Sequence, residues 1–203
     1  MRGKTANPWY VKHLAVGRKQ SNVILTRRLT LRPLRMQDAR DFYAYGKDPE
    51  VARYVLWDPH TSLRQTRSIL RGLMLDSRID NLHTKAIVIN QDQSMVGTIG
   101  LVNQDTQNQC AEVGFSLARP QWGQGLMTEA LTAYIRYIFE ATAINRLDAV
   151  HDSLNPASGS VMLKAGMRRE GLHRGRIYYK GRYATVVLYA ILRKDLEEAS
   201  SKR

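Results

Sequence analysis

The chain has 203 residues, 43% of them hydrophobic and 24% charged, which leaves room for one sizeable core and excludes a largely disordered protein. Its net charge of +13 is unevenly placed: Arg2, Lys4, Lys12, Arg18, Lys19, Arg27, Arg28, Arg32 and Arg35 all precede the first acid, Asp38, and Lys164, Arg168, Arg169, Arg174, Arg176, Lys180 and Arg182 face Glu170 alone. Two local basic surfaces follow, one of them suited to a phosphate-bearing ligand, rather than uniform coating of nucleic acid.

A single cysteine, Cys110, cannot close an internal disulfide, and no Cys/His spacing fits a zinc site, so neither a metal nor a disulfide framework is expected. Residues 8–17 are broken by Lys12 and His13, which denies them the apolar run of a signal peptide. No stretch approaches a membrane span. A soluble, cytoplasmic protein without a membrane partner is therefore expected.

Residues 1–22 carry five bases, no acid and no periodicity, and read as a basic arm before a single domain over 23–203. Leu29, Leu31 and Leu34 alternate as a short strand, with Pro33 at its edge or end. A helix begins near Gln37-Asp38. Asp48-Pro49-Glu50 is a second helix start, with Asp at the cap and Pro at the first helical position. Thr61 or Ser62 opens a longer helix through Leu63, Ile69, Leu70 and Leu73. Ala86–Ile89 and Met95–Val102 form a hairpin, and Ala111–Leu117 is the next strand, with Val113, Phe115 and Leu117 on one face. Leu126, Met127, Ala130, Leu131, Tyr134, Ile135 and Ile138 draw a helical stripe. Leu147–His151 is a strand, Asn155-Pro156 starts a short helix that Lys164-Ala165-Gly166 ends, and Arg176–Tyr179 with Ala184–Leu192 form a last hairpin. This order specifies an α/β (α+β) fold: a single mixed, mostly antiparallel twisted sheet flanked by helices.

Chemistry concentrates in Gln121-Trp122-Gly123-Gln124-Gly125-Leu126-Met127-Thr128-Glu129, where a glycine pair joins a strand to the N-terminus of the most regular helix. Glycines let backbone N–H groups approach phosphate oxygens, and the helix start adds unpaired donors and a positive dipole. Thr128 stands where the dinucleotide fingerprint needs a third glycine. A tight strand-to-helix turn is the simpler reading of the same residues.

Taken in order, Glu112-Val113-Gly114-Phe115, Trp122-Gly123-Gln124-Gly125-Leu126-Met127-Thr128-Glu129-Ala130, Asn155-Pro156-Ala157-Ser158, Leu163-Lys164-Ala165-Gly166-Met167 and Glu170-Gly171 resemble the GNAT N-acetyltransferases, most of all their RimJ/RimL branch. The likeness runs from about Leu29 to Leu192. It implies the GNAT fold and acetyl-CoA as co-substrate. Its pyrophosphate would lie on the backbone of Trp122, Gly123, Gln124, Gly125, Leu126 and Met127, and its pantetheine arm beside Phe115, Ser116 and Leu117. An amine must lose a proton to attack the thioester, which makes Glu112 the candidate base; its parity is opposite to the apolar face, so a plain solvent-facing role stays open. Asn155 can cap its helix and bind the pantetheine amides at once, and Ser158 supports the sulfur or acts as acid, beside the plainer reading of a first-turn hydroxyl. Many relatives place a tyrosine acid where this chain has Met162, and Gln or Arg where it has Pro120. Lys164, with Arg168 and Arg169, is placed to neutralise phosphates, though solvated surface charge is the default for each. Leu56-Trp57-Asp58-Pro59 is similar to a tryptophan-bearing substrate loop of the branch. Tyr178, Tyr179 and Tyr183 border the last hairpin, and Tyr178 is the residue assigned to the acceptor, beside a packing role for all three. His151 reads as a satisfied core histidine and Cys110 as a buried thiol. The expected reaction is direct acetyl transfer to a primary amine, the N-terminal α-amine of a ribosomal protein first. The alternatives are a small-molecule amine (polyamine, aminoglycoside or amino acid derivative) as acceptor, or a non-enzymatic RNA- or ribosome-binding module on the same fold; the partners expected are a ribosome or RNA through the basic arm, in a monomer or homodimer.

Overall fold

The computed structural model describes residues 22–79 and 84–201, so the expected basic arm lies outside the described residues apart from Asn22. Its strands are β1 (Ile24–Leu25), β2 (Leu29–Pro33), β3 (Lys85–Ile89), β4 (Met95–Asp105), β5 (Cys110–Leu117), β6 (Arg146–Asp152), β7 (Arg168–Tyr179) and β8 (Arg182–Leu192). Six helices accompany them: α1 (Ala39–Gly46), α2 (Pro49–Ala52), α3 (Leu63–Ile79), α4 (Leu126–Ala141), α5 (Pro156–Lys164) and α6 (Arg193–Ser201). The strands form one sheet in the order β1-β2-β3-β4-β5-β6-β8-β7. Every neighbouring pair is antiparallel except β5 with β6.

Side-chain alternation along the strands divides the interior in two. On one face α4 lays Leu131, Tyr134, Ile135 and Ile138 against Val113, Leu117, Leu147 and Ala149, all nearly inaccessible to water. Removing each such side chain from water contributes about 1.5–3 kcal/mol. On the opposite face α1 and α3 cover Ala86, Val88 and Met95 with Phe42, Tyr45 and Leu70. Residues of β5 with even numbers, Glu112 and Ser116 among them, therefore point away from α4.

What positions the site is an interruption in this ladder. β6 and β8 pair from Arg146↔Leu192 to Asp152↔Val186, whereas β5 and β6 pair only at Cys110↔Arg146, Ala111↔Leu147 and Glu112↔Asp148. On its other side β5 stays bonded to β4 through Leu117↔Gly97. Beyond Glu112 one edge of β5 consequently has no neighbouring strand, and the sheet opens there.

The sequence expectation places the last edge strand at Arg176–Tyr179, but β7 begins at Arg168. Residues 168–176 are largely exposed and charged, so the apolar alternation that marks a strand is missing while the backbone pairing is not. Three of the seven bases between Lys164 and Arg182 find partners inside the molecule. Arg168 lies 3.0 Å from Asp195, Arg182 pairs with buried Asp152, and Lys180 bonds the Ala52 carbonyl. Near the other terminus Arg32 grips Asp38 with two hydrogen bonds of 2.9 and 2.6 Å.

Candidate functional site

A cleft of about 460 Å³ lies where β5 parts from β6. Its walls are the free edge of β5 (Phe115, Ser116, Leu117), the loop and first turn of α4 (Trp122, Gly123, Gly125, Leu126, Met127), α5 with its cap (Asn155, Ser158, Lys164), and α2 with the turn after it (Glu50, Val51, Tyr54, Val55). Eleven residues singled out from sequence thus share one cavity.

The loop into α4 ends in a helix start that no side chain caps. Trp122 Nε1 donates to the Leu117 carbonyl at 2.8 Å, turning the chain away from the strand end. Gly123 and Gly125 then adopt φ of 74° and 73°, the left-handed region that glycine enters without a Cβ clash. Gly125 is the N-cap of α4 and offers no side chain to its own helix. The Glu129 N–H is bonded to the Gly125 carbonyl at 3.1 Å, so the N–H groups that precede it in the first turn have no intrahelical acceptor. A further cation stands behind this loop that no sequence motif announces: Arg28 donates through Nη1 to the Gln124 carbonyl at 2.9 Å and through Nε to Glu129 at 2.7 Å. Burial alone would raise the Glu129 carboxyl, but Thr26 and Arg28 outweigh it and hold it low.

On the opposite wall, α5 also starts without a side-chain cap. Asn155 sits at the N-cap position, and its side chain makes no cap hydrogen bond. Its backbone is nevertheless fixed, N–H to the Asp152 carbonyl at 2.7 Å and carbonyl to the Ser158 N–H at 3.2 Å. Close approach of α5 to the sheet depends on Gly159, where a Cβ would come within 2.6 Å of His151 Nε2 and 2.9 Å of the Tyr189 hydroxyl. His151 is buried as expected but only half satisfied: Nδ1 lies 2.7 Å from the Asp152 carbonyl, and Nε2 has no partner among the described residues. Met162 is 2% exposed and packs into the core, not into the cleft wall.

Glu112 occupies the last rung before the sheet opens, beside Asp148 and on the face turned from α4. It is half-buried, and its carboxylate makes none of the side-chain hydrogen bonds or ion pairs of the described residues. Burial, then the Asp148 charge, pushes its carboxyl above the usual range, against a smaller opposing pull from Arg176. Asp148 is held by Arg146, 2.7 Å from Oδ1, and Arg146 in turn makes two hydrogen bonds to Glu170 of 3.1 and 2.5 Å.

Four of the sequence-predicted residues, Glu112, Trp57, Tyr178 and Gln124, stand outside the cleft wall. Trp57 packs beside His60, with ring centroids 5.4 Å apart, over the α1–α3 core. Tyr178 is 64% exposed and leans on Tyr183 across the hairpin. Its neighbour Tyr179 instead turns inward and donates to Asp152 at 2.6 Å. Sequence reasoning missed Tyr54, because nothing in a four-residue helix and its following turn marks which side chain will meet a cavity built by distant strands. Cys110 is only half-buried, its thiol raised by burial and by the nearby Asp148 charge. No group of three or more His, Cys, Asp or Glu among the described residues could hold a metal ion, and no helix there is long and apolar enough to cross a membrane.

Comparison with known proteins agrees with this architecture. The model of the acetyltransferase (GNAT) domain matches residues 28–168. The chain is 30% identical over 172 residues to the uncharacterized N-acetyltransferase p20 of Bacillus licheniformis, covering 85% of this chain and 97% of the relative. It is 33% identical over 106 residues to the putative ribosomal N-acetyltransferase YdaF of Bacillus subtilis, or 52% of this chain and 58% of that protein. Among solved structures, RimL, a ribosomal L7/L12 α-N-protein acetyltransferase in complex with coenzyme A, superposes with a TM-score of 0.74 at 23% identity, over 84% of this chain and 97% of its own. With a domain match over most of its length, a full-length relative and the same sheet, the chain belongs to the GNAT family of N-acetyltransferases.

Proposed function

We infer that this acetyltransferase uses acetyl-CoA as donor and the N-terminal α-amine of a ribosomal protein as acceptor. The observation that carries the donor assignment is the cleft: a polyamide arm ending in a diphosphate matches an unpaired strand edge that leads to a glycine-shaped helix start. Phe115, Ser116 and Leu117 would bond the arm through their backbone, Asn155 would bond its amides, and the N–H groups of residues 123–127 would receive the diphosphate. Lys164, on the same wall, adds positive charge. Support for the acceptor is narrower and comes from the relatives whose names specify ribosomal substrates.

The acceptor arrives as an ammonium ion and must become an amine. Glu112 takes that proton, directly or through one water, and becomes neutral; the amine nitrogen then bonds to the thioester carbonyl carbon. Collapse of the tetrahedral adduct breaks the carbon–sulfur bond; the second proton shed by the nitrogen passes through Ser158, beside the cleft, which takes it up as it gives its own to the departing sulfur, leaving the amide and free coenzyme A. A raised carboxyl suits this role, since a stronger base transfers the proton at a smaller cost.

The acceptor is tested by incubating the protein with isotopically labelled acetyl-CoA and a mixture of ribosomal proteins, then mapping new acetyl groups. Label on an N-terminal α-amine is expected. Labelling of free polyamines with no protein labelled would overturn the acceptor, and a melting temperature indifferent to saturating coenzyme A would overturn the donor site.

A further inference from the structure

The loop that should receive the diphosphate is not self-supporting. Its glycines give it freedom, and freedom includes the wrong orientation: the Gln124–Gly125 peptide could present either its carbonyl or its N–H to the cleft. In the structure this peptide is held from behind. Arg28 Nη1 donates to the Gln124 carbonyl at 2.9 Å, and because a trans peptide sets its carbonyl and N–H in opposite directions, the Gly125 N–H is turned away from Arg28. Arg28 approaches closely enough that a Cβ on Gly125 would lie 3.6 Å from Nη2.

The guanidinium is itself oriented. Its Nε donates to Glu129 Oε2 at 2.7 Å, its own backbone N–H to Glu129 Oε1 at 2.9 Å, and the Thr26 hydroxyl to the same oxygen at 2.7 Å. These bonds tie the segment before β2 to the first turn of α4, about a hundred residues away in sequence. A single surface ion pair contributes little, but a planar fork that fixes two groups at once supplies geometry.

We propose that Arg28, oriented by Glu129, is a positioning residue that locks the Gln124–Gly125 peptide with its N–H toward the cofactor diphosphate. The role rests on the reading of this loop as the diphosphate site, and neither the motif around the glycines nor the helix start contains it. Arg28 acts through the peptide and not as a phosphate ligand, which separates it from Lys164 in the cleft wall.

The test compares the full-length protein with R28M and R28K by calorimetric titration with coenzyme A, and follows the Gly125 amide resonance in ¹⁵N-labelled protein. In the parent protein that resonance should move strongly on titration. R28M should bind coenzyme A about tenfold or more weakly, with the Gly125 shift lost; R28K, which keeps the charge but not the fork, should lose nearly as much. Full recovery in R28K would assign the effect to charge alone and overturn the positioning role, as would a Kd within twofold of the parent in R28M. Should R28M fail to fold, judged by its melting curve, R28K carries the comparison. G125V separates the two levels: if it leaves coenzyme A binding intact, the loop assignment itself falls; if it abolishes binding while R28M and R28K do not, only the role of Arg28 falls.

Discussion

Helices α2 and α3 complete their own N-termini, Asp48 accepting from the Glu50 N–H at 2.9 Å and Ser62 from the Gln65 N–H at 3.1 Å, whereas α4 and α5, which flank the cleft, begin with a bare glycine and with an asparagine whose side chain makes no cap bond. The same division runs through the acids. Asp152 is buried, and although burial raises a carboxyl, hydrogen bonds from Tyr179, the Leu154 N–H and Arg182 together hold it low. Glu112, by contrast, has burial and a neighbouring negative charge acting on it with only a weak opposing cation. Asp152 and the starts of α2 and α3 are matched within the molecule; the Glu112 carboxylate and the starts of α4 and α5 have no such side-chain match among the described residues.

Substitutions break or sharpen that contrast. The largest effect is expected from G125V, which forces a β-branched residue into a left-handed conformation costing about 1–2 kcal/mol and pushes a side chain toward Arg28. Coenzyme A should then no longer raise the melting temperature. E112Q should lower kcat by about 10²–10⁴ with the fold intact, the span for loss of a general base; a rate within twofold of the parent would return Glu112 to the scaffold class. The pH profile sharpens the same point. Glu112 must be ionised to accept a proton, so activity falls as pH drops through its raised pKa, and the acid limb should sit above the ordinary carboxylate range. D148N removes the neighbouring charge and should move that limb to lower pH. A smaller, two-sided effect separates the helix starts: N155A should weaken coenzyme A binding about tenfold, the loss of one or two hydrogen bonds, with folding stability changed little. S62A should do the reverse, costing about 1 kcal/mol in denaturant unfolding and leaving coenzyme A affinity alone.

Much of this division was legible in the sequence, for identifiable reasons. The Gly123 and Gly125 turn and the apolar stripe of α4 are local patterns, and local patterns survive folding. Asp48, predicted as a cap, is one. Asn155, with equal cap propensity, makes no such bond, and only the three-dimensional arrangement distinguishes the two. Arg28 was invisible because it matters through bonds to residues about a hundred positions away. The early part of β7 was missed because an exposed edge strand needs no apolar alternation, and α6 because Arg193–Ser201 is polar and has a low mean hydropathy. Trp57 came from family likeness and Tyr178 from its place beside the last hairpin; Trp57 packs by His60 and Tyr178 by Tyr183, and neither lines the cleft.

The brief parallel contact between β5 and β6 carries one more consequence. Three rungs join two otherwise continuous antiparallel blocks, β1 to β5 and β6 to β8 with β7, fewer than at any other seam except the short β1–β2 pair. A polyamide ligand lying along residues 113–117 would extend the seam as a temporary strand. Donor binding would then knit the two blocks together, and amide exchange in β6 should slow along with exchange at the contacted edge of β5.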